Sequence, residues 1–267
     1  MRPTDAVYPE DTEQETVSAA PEITEPVVHM WTPLHLEVDT DYAFVPEGAG
    51  FNRASHWLKN FAYWFLPRYN RFMFGLEITG QENLQGITGG AVTICNHVHI
   101  LDCSMVASAW ENRRRPYFPT LKSNFEIPGI RHLVRLLGGV PIPTTAHAMG
   151  AFAQAVQDLL EQGEVVHLFP EGILAPYYDG VREFHRGAFT FACESQVPVI
   201  PFVISYRPVP PDRPFHKKPY LHLHVMPPVY PRAGVNRREE SERLRTLCME
   251  QMRRQYALDM QIHNGML

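Results

Sequence analysis

Ala91-Val-Thr-Ile-Cys-Asn-His-Val-His-Ile-Leu-Asp102 is the stretch on which the reading of this chain turns. Ala91 to Cys95 is short, apolar and partly β-branched, and follows Gly89-Gly90, the pattern of a buried strand after a turn. Beyond it stand groups able to move protons. In a continuous helix, positions five apart lie about 140° apart around the axis, and in a strand they fall on opposite faces. His97 and Asp102 therefore meet only if the strand breaks into a turn or a helix start. If they meet, the carboxylate fixes one imidazole nitrogen and leaves the other free to take a proton from a hydroxyl. The alternative at this point is a His and an Asp in an ordinary strand-to-helix loop.

The surrounding segments alternate. Helical patterns over Asp102 to about Glu111, Ile130 to Leu137, Ala146 to Glu161 and Ser241 to Tyr256 are interleaved with strand-like runs. Those runs are Tyr117–Leu121, Gly138–Ile142, Val165–Phe169, Val197–Ser205 and Leu221–Val225. This order predicts an α/β fold, a mostly parallel central sheet covered by helices on both faces, with its site at the carboxyl ends of the strands. His97 falls at such an end, and so does Phe169-Pro-Glu-Gly172. Pro170 stiffens that exit, Gly172 permits a turn closed to other residues, and Arg182 and Arg186 are natural partners for a phosphate or for Glu171.

Length and charge narrow the field. The 267 residues, 45% hydrophobic, suffice for one large domain or two small ones. The net charge of −5 hides an acidic first fifty residues, at −10, and a body at +5. A modestly basic body suits anionic lipid surfaces or phosphate-bearing ligands, and the chain lacks an aromatic-basic pattern for nucleic acid. Residues 1–30 read as a disordered acidic arm, and 31–74 as an N-terminal segment with an amphipathic aromatic helix. In that helix Trp57, Phe61, Trp64 and Phe65 alternate with Arg53, Lys59, Arg68 and Arg71 until Pro67 interrupts the run. Its longest uncharged piece is far short of the roughly 20 residues of a spanning helix; it either lies in a headgroup layer or packs its rings on the core. The four cysteines form no Cys-x-x-Cys pair and read as reduced thiols, and the start has no signal-peptide pattern. The expectation is a cytoplasmic protein held peripherally at a membrane. His222 and His224, in an alternating strand, face one way.

Taken in order, the motifs resemble one family. Asn96-His97 with Asp102 is similar to the His-x-x-x-x-Asp motif of the glycerolipid acyltransferases, the superfamily of 1-acylglycerol-3-phosphate acyltransferase. Phe169-Pro-Glu-Gly172 with Phe184-x-Arg-Gly-Ala resembles its third motif, and Val197-Pro-Val-Ile-Pro201 its fourth, over roughly residues 75–230. The resemblance implies acyl transfer from acyl-CoA or acyl-carrier protein to a lysolipid hydroxyl, with His97 as general base and Asp102 orienting it. It implies no metal, no cofactor and no covalent enzyme intermediate. It places Asn96, Lys122, Phe169, Pro170, Glu171, Gly172, Arg182 and Arg186 on the substrate side, with residues 75–267 as the acyltransferase domain. Two departures stand out: Gly139–Thr145 lacks the second motif's arginine, and Ile173-Leu174 replace the third motif's Thr-Arg. Arg182, Arg186 or the Arg113–Arg115 run would have to compensate, or the acceptor lacks a terminal phosphate. Two other classes begin from the same residues: a metal-dependent hydrolase using His97, His99 and Asp102, and a non-catalytic lipid-binding protein of the same fold.

Overall fold

The computed structural model describes residues 34–267 save 47, 112, 113, 212, 214–216, 264, 266 and 267; the expected acidic arm, residues 1–30, and Arg113 lie outside the described residues. Among the described residues seven strands and six α-helices order as α1 (Ala49–Phe74), β1 (Glu77–Thr79), β2 (Ala91–Cys95), α2 (Asp102–Ala109), β3 (Phe118–Leu121), α3 (Ile130–Leu136), β4 (Gly139–Ile142), α4 (Ala146–Glu161), β5 (Val165–Leu168), α5 (Gly187–Glu194), β6 (Val199–Arg207), β7 (Tyr220–Val225) and α6 (Arg237–His263). The main sheet runs β1-β7-β6-β2-β5, and β3 and β4 form a second, parallel pair. A bridge between Tyr117 and Val166 sets β3 beside β5, so the carboxyl ends of β2, β5 and β3 share one edge. All pairs are parallel except β6 with β7. Each residue of β2 and all but the last of β6 are buried, the continuous apolar strand expected where both faces are covered.

Small residues decide how closely these layers approach. Gly90 leads into β2 where the end of α4 crosses, and a Cβ there would lie 2.1 Å from the Leu160 carbonyl oxygen. The histidine pair of β7 does share a face: the Thr79 hydroxyl lies 2.8 Å from His222 Nε2 and 3.0 Å from His224 Nδ1. α6 is longer than the Ser241–Tyr256 pattern because its outer turns are held by ion pairs, Glu240 with Arg232 and Arg243 among them, which hydrophobic periodicity does not register.

α1 departs from expectation twice. Pro67 lies inside the helix instead of ending it. Proline removes one hydrogen bond, but the turn beyond it is anchored: buried Asn70 donates to Ser104 Oγ and Ser108 Oγ of α2 at 3.1 and 3.4 Å, and Gly75 caps the end in the left-handed conformation. The buried face of α1 consists of Ser55, Ala62 and Asn70, so the rings are not packed on the core. Trp57 is 72% exposed and Trp64 55%, and Trp57, Phe61, Phe65 and Tyr69 stack along the outside at centroid spacings of 6.4, 5.8 and 5.7 Å. No helix among the described residues is long and apolar enough to cross a membrane. Substituting Gly90→Ala pushes a methyl against backbone that cannot yield; the expected cost is about 1–3 kcal/mol, read as a lowered thermal midpoint with the helix content of the folded state unchanged.

Candidate active site at the β2–α2 junction

β2 ends at Cys95 and α2 begins at Asp102, and the intervening turn does what neither a helix nor a strand could do. His97 Nδ1 stands 2.9 Å from Asp102 Oδ2. The same oxygen accepts the backbone N–H of Val98 at 2.8 Å and of His99 at 2.9 Å. Asp102 is fully buried. Burial pushes its carboxyl above the usual range, opposed by the hydrogen bonds from His97, His99 and Val98; an oxygen taking three N–H groups is one held as an acceptor. The Nδ1 proton of His97 is thus directed inward, and Nε2 is left to face the opening with the side chain 22% exposed.

One face of the His97 ring lies on Phe169, centroids 4.0 Å apart and planes within 15°. Phe169 is itself set by His167, whose ring meets it edge-on at 4.6 Å and whose Nδ1 is 2.8 Å from the Thr93 hydroxyl. Burial, and secondarily the charge of His97, pushes His167 down to about 3, so it is a neutral ring at any ordinary pH. Sequence reasoning passed over His167; the signal was its place two residues before Phe169 in a strand, which puts both on one face.

The remaining expected residues divide into three groups. Asn96 is buried and spends its amide on the sheet, donating to the Ile204 carbonyl at 2.9 Å and accepting the Ile204 N–H at 2.8 Å. Glu171, also buried, ties two loops together: Oε2 accepts the His97 N–H at 3.2 Å, Oε1 the Arg182 N–H at 3.0 Å, and the Arg182 guanidinium closes on Oε2 at 2.9 Å. The loop between them is strapped beside the histidine by Ala175 N–H to the His97 carbonyl, 3.0 Å, and Tyr177 N–H to the Val98 carbonyl, 2.9 Å. Gly172, at φ +76°, turns the chain where a Cβ would meet the His185 ring at 3.0 Å, and buried Pro170 receives the His185 N–H at 2.8 Å. Lys122, at the end of β3 on the same sheet edge, pairs with Glu126 at 3.3 Å. Arg186 is not at the histidine; it lines a separate cleft with the start of α6. Of the described arginines next to residue 113, Arg114 donates to the Ile87 and Gly89 carbonyls and Arg115 to Asn60 of α1.

His99 does not join His97 and Asp102 as a third donor. Its Nδ1 accepts the Leu101 N–H at 3.1 Å, its ring meets Phe74 and Tyr177 edge-on, and no group of three or more His, Cys, Asp or Glu among the described residues is arranged to hold a metal. Burial pushes the Cys103 thiol up to about 12 and Cys95 well above its usual value, so neither supplies a thiolate.

Comparison with known proteins agrees with this geometry. Residues 75–205 match the family model Acyltransferase. The matched segment belongs to the acyltransferase family. It opens immediately after α1 and closes within β6, so it contains His97, Asp102, Lys122 and the whole Phe169–Arg186 loop. A chloroplastic 1-acyl-sn-glycerol-3-phosphate acyltransferase BAT2 of Brassica napus is 29% identical over 130 residues, 48% of this chain and 36% of the relative. The mouse 1-acyl-sn-glycerol-3-phosphate acyltransferase alpha is 28% identical over 167 residues, 60% of this chain and 57% of its own length. The chain thus spans between about a third and three-fifths of these curated relatives. The crystal structure of the 1-acyl-sn-glycerophosphate acyltransferase PlsC of Thermotoga maritima shares the fold, with TM-score 0.58 over 80% of this chain and 84% of that one at 21% identity.

Because His167 stays neutral in the fold while an unfolded histidine titrates near 6.5, the unfolded chain takes up a proton that the folded one refuses. Stability that is full above about pH 6.5 therefore falls on acidification by up to ~1.4 kcal/mol per pH unit for this residue. His167→Phe is expected to flatten the loss between pH 6.5 and 4 by about one proton's worth, measured by urea unfolding across that range.

Proposed function

We propose that this protein transfers a fatty acyl group from an acyl thioester, acyl-CoA or acyl-carrier protein, to a hydroxyl of a lysophospholipid or related glycerolipid. The observation that carries the reading is the His97–Asp102 pair in an acyltransferase-family segment. Asp102 accepts the Nδ1 proton of His97, which fixes the tautomer in which Nε2 is basic. His97 Nε2 removes the proton of the acceptor hydroxyl as its oxygen attacks the thioester carbonyl; the tetrahedral adduct collapses with loss of the thiolate, which recovers the proton from His97. Asp102 holds the ring and balances its charge while the imidazolium exists. The Phe169 stack restrains the ring about its remaining degree of freedom, and the Glu171–Arg182 tie holds the loop that walls the site. Lys122, on the same edge, and Arg182, on Glu171, are the cations offered to an incoming acceptor headgroup.

The exposed face of α1 supports peripheral attachment to a membrane. Trp57, Phe61, Trp64 and Phe72 stand out from the protein, and Arg68 lies over the Trp64 ring at 5.0 Å, the mixture of rings and cations that partitions into a headgroup layer. An acceptor lipid would then reach the site from the surface on which the protein rests.

Thiol release from acyl-CoA, measured with a panel of lysolipid acceptors, tests the chemistry. Acceptor-dependent release should fall by about 10²–10⁴ in His97→Ala, and chelator should leave it unchanged; acceptor-independent or chelator-sensitive release would reject the reading. Co-sedimentation with anionic vesicles tests the attachment. Fully burying a ring of this kind is worth roughly 1.5–3 kcal/mol, so Trp57→Ser combined with Trp64→Ser should weaken partitioning by about tenfold or more, whereas equal binding would remove α1 from the membrane face.

A further inference from the structure

A second hollow among the described residues lies away from His97. It is an open cleft of about 800 Å³ between the loop preceding α5 and the first turns of α6, within the roughly 300–1,000 Å³ usual for ligand sites. Arg186, Arg238 and Arg245 line it, with His185, Glu239 and Glu242. Arg245 is already engaged, paired with Glu242 and donating to the Phe184 carbonyl at 3.2 Å. Arg186 and Arg238 are different: through their side chains they make no hydrogen bond or ion pair among the described residues, Arg186 acting on Glu242 only as a nearby charge. Two uncommitted guanidinium groups facing one hollow outweigh the single uncommitted carboxylate, Glu239, and suit a ligand with more than one anionic oxygen. The end of α6 contributes little, since Asn236 Oδ1 already accepts the N–H groups of Arg238 and Glu239 at 2.9 and 3.3 Å.

The cleft's position says which anion it can serve. Its inner wall touches the catalytic loop, because His185 rests on Gly172, the neighbour of Glu171. Its body lies farther off. The loop from Val181 to Phe184 runs along α6, with Arg253 donating to the Val181 carbonyl at 3.1 Å and Arg245 to that of Phe184. From Arg253 to Arg245 and Glu242, both on the cleft, the helix rises about 12 and 16 Å, so the body of the cleft sits on the order of 10–15 Å along α6 from the turn held at the Val181 carbonyl. A lysolipid carries its phosphate only a few bonds from the hydroxyl that reacts and cannot span that offset. A pantetheine thioester carries its phosphate at the far end of a long flexible arm and can.

Resting on the acyltransfer reading above, we propose that this cleft holds the phosphate groups of the acyl donor while the thioester reaches His97. Arg186 is thereby assigned to the donor and not to the acceptor phosphate. The test compares wild type with the double variant Arg186→Gln and Arg238→Gln, both exposed positions whose replacement leaves the core untouched. With acyl-CoA the KM should rise about tenfold or more, the least expected for losing one charge-assisted hydrogen bond. With S-acyl-pantetheine, which has no phosphate, and with the lysolipid acceptor the KM should stay within about twofold. A rise with acyl-carrier protein as well would locate the pantetheine phosphate in the cleft, and a rise with acyl-CoA alone the nucleotide phosphates. A rise confined to the acceptor, or no change with acyl-CoA, overturns the assignment. Calorimetric titration of CoA itself needs no turnover: CoA that fails to bind wild type, or binds the variant equally well, refutes the cleft, whereas absent transfer from every thioester refutes the acyltransfer reading separately.

Discussion

Asp102 Oδ2 is the point on which this molecule depends. A fully buried carboxylate is costly unless hydrogen bonds replace its lost water, and here three N–H groups from residues 97, 98 and 99 converge on a single oxygen. Those contacts make the turn after β2, start α2 and aim the imidazole in one stroke. Folding and the placing of the imidazole are therefore not separable: the group that stabilises the turn is also the one that holds His97 Nδ1. The cost of burying Asp102 is offset only while His97 and the two amides remain in place, so the sheet must deliver them within a few tenths of an ångström. The Asn96 amide, bonded to both polar groups of Ile204, is how β2 is held to β6 at that end.

Around this centre the support is graded. Phe169 meets the imidazole directly, His167 sets Phe169, and Thr93 sets His167, so a line of contacts runs from the interior of the sheet to the His97 ring. On the other side Glu171 and Arg182 join the turn of His97 to a loop already strapped to it through Ala175 and Tyr177. Glu171 is thus a strut, and its buried carboxylate touches the histidine only through the backbone.

Much of this was legible in the chain. The alternation of apolar runs with helical patterns pointed to a mostly parallel sheet, though the short strand β1 and the helix α5 carry no such pattern and were not read, and the spacing of His97 and Asp102 demanded the strand break that is found. Elsewhere the local rules were incomplete. Pro67 reads as a stop because the lost hydrogen bond is a local quantity, while the anchorage of Asn70 to Ser104 and Ser108, which carries the helix onward, is a tertiary one. Asn96 reads as a polar group beside a site because nothing nearby in sequence announces Ile204. Arg182 and Arg186 look equivalent at four residues apart, yet one closes on Glu171 and the other turns toward α6, a choice made by where the loop re-enters the sheet edge. The aromatic spacing of α1 suited a core-facing or an outward stripe equally; the small residues on its opposite face decided for the latter.

The anchorage of Asn70 has a consequence for anyone wishing to handle this protein in simpler form. The obvious engineering step is to trim the greasy helix and keep the sheet, since the family-matched segment begins only at residue 75. But the hydroxyls of Ser104 and Ser108 that receive Asn70 belong to the helix whose first residue is Asp102. Cutting at that boundary would strip the partner from α2 and uncover its back to water. The exposed aromatic face of α1 and the scaffold that holds His97 and Asp102 are one piece of structure, and they have to be kept, or redesigned, together.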